Sequence, residues 1–157
     1  MTFVDHLASE LGSVLAQNNP RLITNPFRTV PVGTNGGMSL AGCVSSLLGG
    51  FLVGVSYVIG NLIFCRTDHL AHTSFINLQL IFYCTVFGFL GSLIDSLLGA
   101  TLQFSGYDRE RNVTVQKPSP SVEHISGRNL LSNNQVNIIS SFLTSILAIQ
   151  IVPNVLF

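Results

Sequence analysis

Charge is what this sequence has least of: seven Lys and Arg with seven Asp and Glu make up only 9% of its 157 residues. Soluble domains average about 25%, so the deficit is too large for an ordinary water-exposed surface. The basic residues are scattered, which excludes the concentrated positive field that nucleic acid requires. Tryptophan is absent, leaving Tyr and Phe to form any interfacial aromatic belt. Cys43, Cys65 and Cys84 lie in or at the end of apolar stretches without metal-ligand spacing, and read as small buried hydrophobes. The four histidines are dispersed, and neither Gly-x-Ser-x-Gly nor His-Glu-x-x-His occurs. A serine hydrolase or zinc protease therefore has no motif here. His124, in "EHISG", reads as structural. At the N-terminus, "MTFVDHLASE" carries Asp5 and Glu10 where a signal peptide needs a basic region and an apolar core.

What the chain has instead is apolar blocks, 47% hydrophobic residues in all, with a mean hydropathy of +0.53. Residues 39–65 are uncharged, and a bilayer crossing needs about 20 such residues. Gly42, Ser46, Gly50 and Gly54 recur at helical spacing there, which predicts a small-residue groove for close helix packing. Residues 75–104 form a second span and 136–157 a third. In the second, Asp95 lies about 30 Å along the helix from Phe75, roughly the full hydrocarbon thickness. It is therefore expected near the far interface, framed on one face by Gly88, Gly91 and Gly99. In the third, Asn133, Asn137, Ser141 and Ser145 form a polar stripe. The expected fold is an all-α, polytopic membrane bundle in a single domain over residues 1–157. It has three transmembrane helices plus a short N-terminal helix over residues 1–16 that reads as the tail of a longer span.

Residues 105–135 are the long polar segment, with a short hairpin expected around Val113 to Gln116. Arg21 and Arg28 precede the first span, and Arg109, Arg111, Lys117 and Arg128 follow the second, whereas the short loop between spans carries only Arg66. The positive-inside rule puts residues 31–37 and 105–135 in the cytosol. The sequon Asn112-Val-Thr114 points the other way, and sequons arise often by chance.

That topology gathers the polar groups at one membrane face. Pro31 to Gly37, "PVGTNGG", offers the backbone amides of Gly33, Thr34, Asn35, Gly36 and Gly37 as a phosphate cradle. Asp5, Glu10 and Asp95 are candidate Mg²⁺ ligands, an ion that takes one or two carboxylates plus substrate phosphates. Asn133, Asn134 and Asn137 are candidate contacts to a nucleotide or polar headgroup. The same residues also suit ordinary helix-end capping.

Several stretches, "DHLASELG", "NPRLIT", "VPVGTNGG", "SSLLGG", "GSLIDSLLGATLQ", "HISG" and "NNQVNIISS", occur in the order seen in the transmembrane protein 19 family. The chain resembles the C-terminal part of that polytopic family, whose broader membership includes the plant phytyl-phosphate kinase. The family's Asp-Thr-Trp-Ala-Ser-Glu motif matches at Asp5, Ala8, Ser9 and Glu10, with His6 and Leu7 in place of Thr and Trp. Ser132 stands where relatives carry an aspartate. The resemblance implies an Mg²⁺- and nucleoside-triphosphate-dependent kinase of a prenyl phosphate, with Asp95 catalytic. The competing expectation is a transporter or scaffold without chemistry, in which the glycines serve packing alone.

Overall fold

A computed structural model describes residues 20–64 and 70–152. The expected N-terminal helix, with Asp5 and Glu10, lies outside the described residues, as do Cys65, Arg66 and the last five residues of the third span. Three helices long and apolar enough to cross a membrane dominate the fold: α1 (Leu40–Phe64), α2 (Leu70–Leu102) and α3 (Asn133–Ile151). The polar stretches before α1 and between α2 and α3 fold into two small antiparallel sheets, an addition to the helical architecture. β1 (Arg21–Leu22), β2 (Asn25–Thr29) and β3 (Gly37–Met38) pair in the order β2-β1-β3. β4 (Ser105–Asp108), β5 (Val113–Val115) and β6 (Val122–Ser126) pair as β5-β4-β6.

The helix boundaries follow from capping. Ser39 starts α1, its Oγ accepting a hydrogen bond from the Gly42 N–H at 3.0 Å. α3 begins at Asn133, three residues before the expected Val136, because Ser132 and Gln135 form a Ser-x-x-Gln start. Gln135 Oε1 accepts from Ser132 N at 2.8 Å. Ser132 thus serves as a helix cap at the position where the resemblance had raised an aspartate.

α1 and α2 pack antiparallel through the small residues of the predicted groove. Ser46 meets Ser92, their hydroxyls 2.9 Å apart. One turn on, a Cβ added to Gly88 would stand 2.9 Å from Gly50 Cα, and one added to Gly50 only 2.6 Å from Cys84 O. Gly54 lies over Ile81 and Cys84 in turn. The backbones therefore approach as closely as only glycine permits, the means by which membrane helices associate when lipid is as apolar as leucine. Large side chains point outward, Leu62 at 61% and Ile149 at 71% exposed, where lipid would meet them.

α3 returns along the other flank of α2. Its buried face is Val136, Ser140 and Thr144, and Ser140 Oγ donates to Asp95 Oδ1 at 3.1 Å. The expected stripe of Asn137, Ser141 and Ser145 runs beside this face: Ser141 and Ser145 return their hydroxyls to the Asn137 and Ser141 carbonyls of their own helix.

At the end of α2 the two sheets close over a small apolar core of Leu22, Val30, Ala100 and Ile125, with Ile23 and Tyr107 against it. Residues 113–115, in the region where a short hairpin is expected, form its second strand, paired with β4. The turn itself lies at residues 109–112, where Asp108 Oδ1 accepts from the Glu110 and Arg111 N–H groups and Asn112 takes φ 53°.

Gly50→Leu is expected to weaken the α1–α2 pair by about 1–3 kcal/mol through overpacking, whereas Gly60→Leu, which meets nothing within 4 Å, leaves it unchanged. Unfolding of the two variants in detergent micelles, side by side, checks this.

Candidate functional site

A helix ends with four backbone carbonyls that lack an intrahelical partner. In α2 the chain supplies partners from downstream. Thr101 O accepts from Arg128 N at 3.0 Å, and Leu102 O accepts from both Leu130 N and Leu131 N at 3.1 Å. Gly99 O accepts from Gln103 N at 3.2 Å. Residues 127–131 are thereby strapped across the helix end. Gly127 permits this with φ 74°, its Cα lying against the Gln103 carbonyl.

The Pro31–Gly37 loop seats on the same end. Gly36, at φ 75°, presses its backbone on Ser96 and Ala100, with a hypothetical Cβ only 2.6 Å from Ser96 O. Gly99 receives it, since a Cβ there would come within 3.5 Å of Asn35 Cβ. Asn35 then crosses to the second sheet, its N–H donating to Ser105 Oγ at 2.9 Å and its Nδ2 to Phe104 O at 3.2 Å. Thr114 Oγ1 donates to Val32 O at 2.8 Å, a further clasp between the sheets. Sequence-distant polar segments thus do share one end of the bundle, as the arginine distribution implied.

The loop's backbone is largely engaged with the protein. Thr34 N donates to Pro31 O, Asn35 N to Ser105 Oγ, and Gly37 N to Thr34 O. Three of the five amides expected to cradle a phosphate therefore already have protein acceptors. Gly33 and Gly36 supply positive φ, 87° and 75°, and what that geometry delivers is the Asn35 side chain at the helix end.

Of the remaining candidates, Asp95 stands about 6 Å along α2 below Gly99 and on the same face, half-buried and accepting from Ser140. Asn133 and Asn134 are exposed at the first turn of α3, and Asn137 is half-buried one turn on. Asn35 and Asn133 meet at a cavity of about 210 Å³ that is also lined by Gln103, Lys117, Leu130 and Leu131. Asp95 is not among its lining residues. Among the described residues no group of three His, Cys, Asp or Glu is arranged to hold a metal ion.

Sequence reasoning missed Gln103, Lys117, Ser105 and Ser140. Gln103 fell within the second expected span, residues 75–104, and Lys117 counted only toward topology. The signal for Ser140 was present, since Val136, Ser140 and Thr144 recur every four residues, one position along from the stripe chosen.

A model of the integral membrane protein family DUF92 matches residues 2–145. Protein PGR of Arabidopsis thaliana is 45% identical over 153 residues, covering 94% of this chain and 51% of that protein. An uncharacterized membrane protein of Methanocaldococcus jannaschii is 32% identical over 111 residues, 71% of this chain and 40% of its own length. The chain spans about half the length of these curated relatives or less. No solved structure matches it.

Gly33 and Gly36 separate conformation from contact. Gly33→Ala meets only ordinary contacts and is expected to cost about 1–2 kcal/mol for its left-handed backbone. Gly36→Ala adds the collision with Ser96 and Ala100, for about 2 kcal/mol or more. Thermal unfolding and proteolysis of the loop in micelles should rank them in that order.

Proposed function

Because the chain belongs to the DUF92 family of integral membrane proteins, we propose that its polar end is a phosphate-handling rim, at the cytosolic face, of a nucleotide-dependent isoprenoid-phosphate kinase. One observation carries the reading: the Pro31–Gly37 loop, the Asp95-bearing end of α2 and the amide-rich start of α3 converge at one end of the helices. The substrate class comes from the resemblance to phytyl-phosphate kinase. As the chain spans about half of its curated relatives or less, the activity is proposed for the whole protein.

In this reading an oxygen of the prenyl monophosphate attacks the γ-phosphorus of the nucleotide. The bond to the bridging oxygen breaks, leaving a nucleoside diphosphate and a prenyl diphosphate. Such transfer relies on positioning and electrostatics more than on covalent help from the protein. Asp95 fits Mg²⁺ as one carboxylate, with Asp5 and Glu10 as the family's further candidates, and the ion when bound would neutralise phosphate charge. The Ser140 hydroxyl fixes the Asp95 carboxyl against α3. Asn133, Asn134 and Asn137 offer amides to the nucleotide or acceptor, while the loop fixes Asn35 at the same mouth.

The same Asp95–Ser140 bond favours a second reading, in which the acid joins two helices of a non-catalytic transporter or scaffold. Asp95→Asn separates them, because an amide oxygen still accepts from Ser140 while the charge is lost. The kinase reading expects nucleotide-dependent labelling of a prenyl phosphate by the wild-type protein, reduced about a hundredfold or more in the variant with its unfolding unchanged. Labelling that persists undiminished in Asp95→Asn removes Asp95 from the chemistry, and no labelling by the wild type favours the scaffold.

A further inference from the structure

We infer that the β1–β2 hairpin is an interfacial foot, which seats Phe27 among the headgroups of an anionic bilayer with Arg21 and Arg28 facing lipid phosphates. The inference goes beyond the reading above and needs no chemistry at Asp95. Phe27 lies outside the spanning helices, yet at 94% it is the most exposed large hydrophobic among the described residues. The backbone around it is built to hold it there. The ladder pairs Arg21 with Thr29 but Leu22 with Asn25, so residues 26–28 have no partner on β1 and form a bulge, a device that re-aims a side chain. Asn25 Oδ1 accepts from Phe27 N at 3.3 Å, and Arg21 Nη1 donates to Pro26 O at 3.4 Å. Both bonds brace the bulge.

The depth of the sheet says what meets this crest. Leu22 and Val30 pack with Ala100, which lies about 3 Å along the axis from the end of α2. Gly36 rests on Ser96 and Ala100, inside the apolar span of that helix. β3 ends at Met38, and the span of α1 opens at Leu40, itself 83% exposed. The first sheet therefore lies beside the ends of two spanning helices, with β2 about two strand spacings, or 10 Å, from β3. Headgroups occupy about 5–8 Å on each side of the hydrocarbon, so the bulge is within their reach. Moving an exposed phenylalanine ring out of water into that layer is favourable.

Charge narrows the lipid class. Residues 20–40 contain Arg21 and Arg28 and no Asp or Glu. Both arginines are exposed, and among the described residues neither pairs with a carboxylate. The planar guanidinium suits phosphate oxygens. An apolar crest with cations beside it, on a sheet that leads straight into a spanning helix, fits the surface of an anionic membrane.

The chain has no tryptophan, so Phe27→Trp supplies a single fluorescent reporter at an exposed position. The protein is placed in nanodiscs of phosphatidylcholine, with and without phosphatidylserine, whose acyl chains are brominated near the glycerol. The indole should be quenched by the brominated lipid and shielded from aqueous acrylamide. Phosphatidylserine should raise the ratio of lipid-seated to water-exposed indole, and Arg28→Ala should lower that ratio about fivefold. Native mass spectrometry reads the same surface without the indole: the wild type should retain phosphatidylserine over phosphatidylcholine, and Arg28→Ala should lose the preference. Free access of acrylamide to the indole overturns the proposal by returning the crest to water. Shielding from both quenchers overturns it by placing protein there, a second copy or another segment. Equal behaviour in the two lipid compositions, or equal retention by Arg28→Ala and the wild type, overturns the anionic foot.

Discussion

The last carbonyls of a helix have no intrahelical partner, and where protein covers them the donors must come from elsewhere in the chain. The end of α2 satisfies this constraint with backbone N–H groups drawn from residues 128, 130 and 131, and most of the polar architecture follows. Strapping those residues across the helix fixes where α3 must start, two residues after Leu131, and so sends α3 back along α2. The same end receives the Gly36 turn and the Ser105 strand, which anchor the two sheets to each other. The site is thus a by-product of terminating one long helix cleanly.

The second constraint is lateral. With lipid outside, apolar burial gives little reason for helices to meet, and close backbone contact must supply the attraction. The fold accordingly inverts a soluble one: Ser46, Gly50, Gly54, Gly88 and Ser92 face inward while leucines and phenylalanines face out. Ser140 and Thr144 continue the pattern on α3. Within such an interface, an acid such as Asp95 is held by a hydroxyl and not by a countercharge.

The spans were legible because an uncharged run longer than a bilayer has few other readings, and the small-residue groove because glycines at four-residue spacing have few other uses. The meeting of the loop with α2 was legible too, through topology alone. The strands were not. β1 and β3 have two residues each, too few for alternation to show. Their core is assembled from Leu22, Val30, Ala100 and Ile125, four positions spread along about 100 residues with no local pattern linking them. The loop's true bonding partners were equally hidden, since Asn35 reaches Ser105 across 70 residues. Glycine content alone cannot distinguish a turn that cradles a ligand from one that must lie flat on a helix.

That distinction bears on what the glycine loop does. A glycine loop binds anions when its N–H groups converge on open space, and here Thr34, Asn35 and Gly37 direct theirs to protein acceptors. Of the residues lining the cavity the loop supplies Asn35, whereas Gln103, Lys117 and Asn133 come from elsewhere. Nearby charges on the second sheet are matched among themselves, Arg109 with Glu123 at 2.6 Å and Arg111 with Asp108 at 3.9 Å. Among the described residues no carboxylate pairs with Lys117. The part of the glycine turn is therefore to hold this end of the bundle together, by lying on Ser96 and Ala100 and passing Asn35 to Ser105.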